Sequence, residues 1–182
     1  MECYQYNMKI GHKLIEHNFR FLIQNGPNLV WKDISTERLF KDKKIILFGL
    51  PGAFTPMCHQ KHLPGYDNMF EQFKELGYDD VYCVSVNDAY VMNAWTNNLL
   101  IKNVLMIPDG CGTFTKSMGM LVNKPRQGFG YRSWRYSSVI NNCVVEEWFE
   151  EPGINNESND KDPMTVSLAS YVYKFLKDKK QV

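Results

Sequence analysis

The sequence predicts an α/β fold in which a central mixed sheet is flanked by helices on both faces. Three observations carry this expectation. Apolar, β-branched runs too short to be helices alternate with stretches of helical periodicity. Late in the chain two strand-like runs flank "NNC", the mark of an antiparallel hairpin. An amphipathic stretch then closes the sequence. The βα units supply parallel strands and the hairpin antiparallel ones. With 182 residues, 44% hydrophobic and 23% charged, the chain fits one globular domain spanning 1–182.

Taken in order, "KKIILFGL" (43–50) is apolar on both faces, as a central strand covered on both sides must be. "YDNMFEQFKELG" (66–77) sets Tyr66, Met69, Phe70, Phe73 and Leu76 on one helical stripe, with Gly77 as the stop. "VYCVSVN" (81–87) is a second buried strand, and "DAYVMNAWTNNL" (88–99) a helix with Asp88 as N-cap. "NVLMIPDG" (103–110) reads as a third strand and "GTFTKSMGML" (112–121) as a short helix. "YRSWRYSSVI" (131–140) and "VVEEWFEE" (144–151) form the hairpin. "EEPGINNESNDKDP" (150–163) is polar and proline-bounded, an expected exposed loop. "TVSLASYVYKFLKDKK" (165–180) closes as a helix with Leu168, Val172, Phe175 and Leu176 on one face. Its terminal lysines suit the helix dipole.

Twenty-one Lys and Arg against twenty Asp and Glu leave a net charge of +1. That is no field for nucleic acid or an anionic membrane, so neither is expected as a partner. The longest apolar run is far too short to span a bilayer. "MECYQYNMKIGHKL" has neither a secretory nor an arginine-rich targeting pattern. The cytoplasm is the default expectation, with mitochondrion or plastid open should a leader precede this sequence. Five irregularly spaced cysteines argue against a secreted disulfide framework.

The chemistry concentrates in "PGAFTPMCHQKHLPG" (51–65). Pro51 and Gly52 end a strand and Pro56 suits a helix start. Cys58 therefore falls in a first helical turn, where a thiolate is stabilised, with the Thr55 hydroxyl three residues earlier. Position alone leaves open whether Cys58 is reactive or a small buried hydrophobe. Cys83, inside an apolar strand, reads as structural; Cys3, Cys111 and Cys143 read as incidental. Thr55 occupies the place where "TPMC" would need a second cysteine for dithiol chemistry. Cys58, His59 and His62 lack the spacing and fourth ligand of a metal site. What remains is a single thiolate that attacks something.

The stretch "FGLPGAFTPMCHQKHLPGY" resembles the active-site segment of the peroxiredoxins, in particular the type II or peroxiredoxin-five subfamily, with its P-G-A-F-T-P-x-C followed by H-L-P-G. The resemblance continues through "SVNDAYVMNAW", "DGCGTFTKSMGML" and "RSWRYSSVI", from about residue 8 to 150. It implies a thioredoxin-like fold and reduction of hydrogen peroxide and alkyl hydroperoxides, with no cofactor or metal beyond an external thiol. It places the family's peroxidatic cysteine on Cys58, its threonine on Thr55, its proline on Pro51 and its catalytic arginine on Arg135. Arg132 matches a second, supporting arginine. It also implies a homodimer, for which Tyr90 or Phe129 could serve as readily as they could fill a core.

The resolving cysteine that many members carry in an L-T-C-S-L segment falls on Val166 of "MTVSLAS". This departure points to a one-cysteine cycle recycled by glutathione, glutaredoxin or thioredoxin, with no support for Cys83, Cys111 or Cys143 as substitutes. A redox-sensing or chaperone-like protein switched by Cys58 oxidation is the alternative on the same fold. Lowering a thiol pKa by about 3 units raises thiolate at pH 7 roughly 30-fold. The accompanying loss of nucleophilicity returns roughly 20-fold. Rate must therefore come from groups that bind the transition state, the part the resemblance gives to Arg135.

Overall fold

A computed structural model describes residues 10–158 and 161–181. The described chain opens with an antiparallel hairpin of β1 (Asn18–Asn25) and β2 (Asn28–Ser35). Phe19 and Phe21 of β1 are buried while most of β2 is exposed. Helix α1 (Thr36–Phe40) follows, its first turn capped by the Ser35 hydroxyl.

Strand β3 (Lys44–Gly49) is the centre of the molecule. Ile45, Ile46, Leu47 and Phe48 are all fully buried, the two-sided burial expected of this run. A helical segment starts at Pro56, passes through a π-helical turn at Cys58–His62 and continues as α2 (Leu63–Asn68) and α3 (Phe70–Glu75). Strand β4 (Asp80–Ser85) lies parallel to β3. It leads into α4 (Ala89–Leu99), where Asp88 accepts a hydrogen bond from the Val91 amide at 3.0 Å, the expected N-cap. Then come β5 (Leu105–Pro108), α5 (Thr113–Ser117), the small hairpin of β6 (Leu121–Lys124) and β7 (Gly130–Ser133), and strands β8 (Tyr136–Asn141) and β9 (Val144–Glu150). Helix α6 (Ala169–Lys180) closes the chain.

The main sheet has the order β5-β4-β3-β8-β9. Its first three strands are parallel and β8 and β9 antiparallel, so the sheet is mixed as expected. One face packs on Phe40, Phe114, Met118 and Trp134. The other packs on Leu63, Tyr66, Phe73, Trp95 and Val172, with Cys58 among them.

Three expectations change. The stripe over 66–77 is two short helices broken at Met69, with Tyr66 and Phe73 buried and the other three only partly so. "YRSWRYSSVI" is not one strand: β7 pairs with β6 outside the main sheet, and β8 begins only at Tyr136. The chain turns inward between them because the Trp134 amide donates to the Met120 carbonyl and the Trp134 indole to the Glu151 carbonyl at 2.7 Å. Finally, Leu168 is the cap rather than a face residue of α6, whose buried side is Ala169, Val172 and Leu176. Phe175 is 40% exposed and meets Phe149 edge-on.

Candidate active site

The site lies at the carboxyl end of β3, where crossover topology leaves a crevice. Beyond Gly49, residues Leu50, Pro51 and Gly52 stay buried. The Thr55 hydroxyl and amide both donate to the Gly52 carbonyl, at 2.8 and 3.3 Å, tightening the loop into the helix start. Phe54 takes a left-handed φ of 62° to allow it. The next turn is wide: the Leu63 amide donates to the Cys58 carbonyl five residues back. Such π-turns often mark functional positions. Cys58 itself is fully buried.

Arg135 reaches the same place by sheet register. Gly49 pairs with Tyr136 across β3 and β8, which sets Arg135 level with Leu50. Its guanidinium is 1% exposed. Nη1 donates to Cys58 Sγ at 3.4 Å and to His62 Nδ1 at 3.1 Å, and Nη2 pairs with the Asp162 carboxylate. Burial alone would lower the Arg135 pKa; the negative charge of Cys58 and Asp162 outweighs it and holds the group above its ordinary value.

His62, fully encased, donates from Nε2 to the Ser167 carbonyl at 3.0 Å. Burial first and the neighbouring Arg135 charge second push its pKa down to about 3. The ring is therefore neutral, with Nδ1 free to accept. Tyr66 Oη donates to the same Ser167 carbonyl at 2.7 Å and lies 2.9 Å from Ser137 Oγ.

Of the segment expected as an exposed loop, only Pro152, Gly153, Asn156, Glu157 and Lys161 are exposed among the described residues, and it is pinned to the site. Glu151 is fully buried. It accepts the Thr165 and Ser167 amides at 2.6 and 2.8 Å and both of their hydroxyls. Burial would raise its pKa, but these hydrogen bonds hold the carboxyl below its usual value. The Glu151 amide in turn donates to the Arg135 carbonyl at 3.1 Å.

Cys58, Pro51, Thr55 and Arg135 thus converge at one end of the sheet, although the Thr55 hydroxyl is engaged by Gly52 rather than aimed at the sulfur. Arg132 stands outside this set. It donates to the Phe129 and Val86 carbonyls at 3.1 and 3.3 Å and lies against the Cys58 loop, where a Cβ on Gly52 would come within 2.9 Å of Nη1. Cys83 and Cys143 are buried, and burial pushes both thiols up, Cys83 the more so beside Cys58. Cys111 is exposed and Cys3 lies outside the described residues. Tyr90 is 60% exposed, its ring edge-on to Trp31; Phe129 is half-buried beneath Arg132.

Sequence reasoning missed Asp162, Ser167 and Glu151, and weighed His62 only as a metal ligand, which it set aside, and as part of the H-L-P-G motif. For His62 a signal existed: it follows Cys58 by four residues, the spacing that shares a helix face. The others sit in a polar segment with no pattern to read.

Residues 26–164 match the Redoxin family. A peroxiredoxin of Rhizobium etli is 53% identical over 154 residues, 84% of this chain and 86% of that protein. The crystal structure of the Plasmodium falciparum antioxidant protein, a 1-Cys peroxiredoxin, is similar at a TM-score of 0.88 and 37% identity, covering 94% of this chain and 99% of that one. Reduced Prx3 of Vibrio vulnificus in complex with hydrogen peroxide gives a TM-score of 0.81 at 34% identity, over 92% and 98% of the two chains.

Proposed function

The chain belongs to the Redoxin family and is a peroxiredoxin, a thiol peroxidase, and from that premise we propose that Cys58 is its attacking thiol and Arg135 the group that makes the attack fast. The observation that carries this reading is the 3.4 Å contact of Arg135 Nη1 with Cys58 Sγ in a fully buried setting. The thiolate attacks one peroxide oxygen; the S–O bond forms as the O–O bond breaks. The leaving oxygen takes up a proton from solvent, equivalent to the one the thiol released on ionising, and departs as water or alcohol. Charge spreads from sulfur towards the leaving oxygen, and a permanently protonated guanidinium follows it without reorganising. With its hydrogen given to Gly52, the Thr55 hydroxyl keeps lone pairs that accept from the peroxide O–H and orient it in line with the sulfur, Pro51 keeps water from the product, and Arg132 buttresses the loop.

The product sulfenic acid is recycled from outside. A thiol of glutathione, glutaredoxin or thioredoxin condenses with it, releasing water, and a second thiol displaces the mixed disulfide and restores Cys58. Supporting this are Val166 in the late segment and the poor availability of Cys83 and Cys143, both buried with raised pKa. Cys143 lies beyond the far end of β8 from Arg135, about 20 Å along a six-residue strand, whereas a disulfide tolerates about 7 Å between Cα atoms. The test is mass spectrometry after one equivalent of hydrogen peroxide. The oxidised monomer should carry a sulfenic acid on Cys58 and no intramolecular disulfide, and Cys58→Ser should consume no peroxide with glutathione and glutaredoxin present. An internal disulfide to Cys58 contradicts the one-cysteine cycle.

A further inference from the structure

Arg132 is a half-buried guanidinium that no carboxylate meets among the described residues. Its Nε and Nη1 are spent on the Phe129 and Val86 carbonyls, at 3.1 and 3.3 Å, while Nη2 has no acceptor among those residues. Burial pulls its pKa below the ordinary value and the Cys58 charge opposes the fall, so the group lies within electrostatic reach of the sulfur. Arg135 differs, for its charge is met by Cys58 and Asp162. A charge partly withdrawn from water with no counter-ion is costly, and the cost is recovered when an anion binds.

The surrounding chain offers Arg132 no such anion. Residues 110–145 hold Lys116, Lys124, Arg126, Arg132 and Arg135 and no Asp or Glu. The carboxylates of the adjoining loops are spent on helix starts, Asp88 on the Val91 amide and Asp109 on those of Phe114 and Thr115. Gly52 admits the guanidinium, since a Cβ there would stand 2.9 Å from Nη1 and 3.6 Å from Asn87 Oδ1. That Oδ1 accepts from the Ala53 amide at 2.9 Å and the Ser85 hydroxyl at 2.7 Å, while Asn87 Nδ2 has no acceptor among the described residues. Two unspent donor groups therefore flank the loop that runs from Gly52 to Cys58, and a planar carboxylate suits a guanidinium.

Hydrogen peroxide and simple alkyl hydroperoxides are neutral and have no use for a second cation, whereas the recycling thiol must be seated before it reacts. Resting on the assignment of Cys58 and its external recycling made above, we propose that Arg132 is the carboxylate receptor for that thiol: the reductant is a small carboxylate-bearing thiol of the glutathione class, held by its anionic end at Arg132 and Asn87 while its sulfur meets Cys58. That sulfur attacks the sulfenic sulfur, the S–S bond forms as the S–O bond breaks, and the departing hydroxide leaves as water with the thiol's proton. Buttressing of the loop continues alongside, because it uses Nε and Nη1 and the receptor uses Nη2.

The test starts from the protein with Cys58 as sulfenic acid, made with one equivalent of hydrogen peroxide. Stopped flow and mass spectrometry then follow mixed-disulfide formation with glutathione and with its dimethyl ester, which keeps the thiol and loses the carboxylates. In Arg132→Gln the rate with glutathione relative to that with the ester should fall by about tenfold or more, as loss of a charge-assisted hydrogen bond does. A loosened loop would slow both thiols alike, so the ratio isolates recognition. A ratio within about twofold of that of the unaltered protein overturns the proposal, as does recycling by a thioredoxin-type protein thiol with no measurable reaction of glutathione.

Should Arg132→Gln not fold, the unaltered protein decides. S-Methylglutathione has the carboxylates and no free thiol; it should compete with glutathione for the sulfenic acid form, and its dimethyl ester should not. Equal effects of the two, or none from either, overturn the proposal. Peroxide consumption retained by Cys58→Ser would instead sink the underlying assignment, whereas an unchanged ratio with Cys58 active removes only the part given to Arg132.

Discussion

At the scale of single residues, Arg135 shows why charge alone does not describe the site. Its two terminal nitrogens address three groups, Cys58, His62 and Asp162, in one plane. A lysine ammonium keeps the charge as a compact, rotatable point and cannot hold three fixed directions. Arg135→Lys should therefore lower the second-order rate of Cys58 oxidation by on the order of 10²–10³, as loss of a preorganised donor does. Stopped-flow kinetics with hydrogen peroxide checks it, and a rate within threefold of the unaltered protein would remove Arg135 from its role. That Cys58, Thr55, Pro51 and Arg135 come together at one end of the sheet could be expected from the sequence, because the stretches that hold them resemble a known family's. Asp162 and Ser167 were not, because a polar loop carries no periodicity that says where it will be pinned.

Among the elements, the β3–β8 pair does most to build the site, since its register delivers Arg135 to the end of the strand that leads to Cys58. That register depends on a close approach. A Cβ on Gly49 would lie 2.8 Å from Tyr136 Cδ1, and the Tyr136 ring cannot retreat because it is fully buried and stacked on Trp148 at 4.8 Å. Gly49→Ala should destabilise the protein by about 1–3 kcal/mol through overpacking, read from urea unfolding. It should also slow Cys58 oxidation, because Arg135 adjoins the displaced ring; unchanged stability would show that the pair can part at no cost. The βα units and late hairpin were readable because two-sided burial and helical periodicity are local signals. The β1–β2 hairpin was not, since β2 is mostly exposed and shows no alternation. The split of residues 131–140 escaped because Met120 and Glu151, which turn the chain there, are distant in sequence.

For the molecule as a whole, the neutral buried His62 ties stability to pH. Its folded pKa of about 3 lies below the unfolded value of 6.5, so between the two the unfolded chain binds a proton that the folded one refuses. Stability is complete above about pH 6.5 and falls as the pH drops through that window. From pH 6.5 to 5, where most carboxylates are still ionised, the loss from this one group is about 2 kcal/mol. Urea-unfolding midpoints across that range should show it, and His62→Gln should flatten the slope; a slope unchanged by that substitution would mean that other groups set it. The site also draws on three distant stretches of the chain, around Cys58, Arg135 and Ser167, and this has a consequence during biosynthesis. Ser167 is added about a hundred residues after Cys58, some 5–20 s later at ordinary elongation rates. Until then the emerging cysteine has no complete set of partners, so on the role proposed for Cys58 a ribosome-bound chain is expected to react with peroxide more slowly than the finished protein.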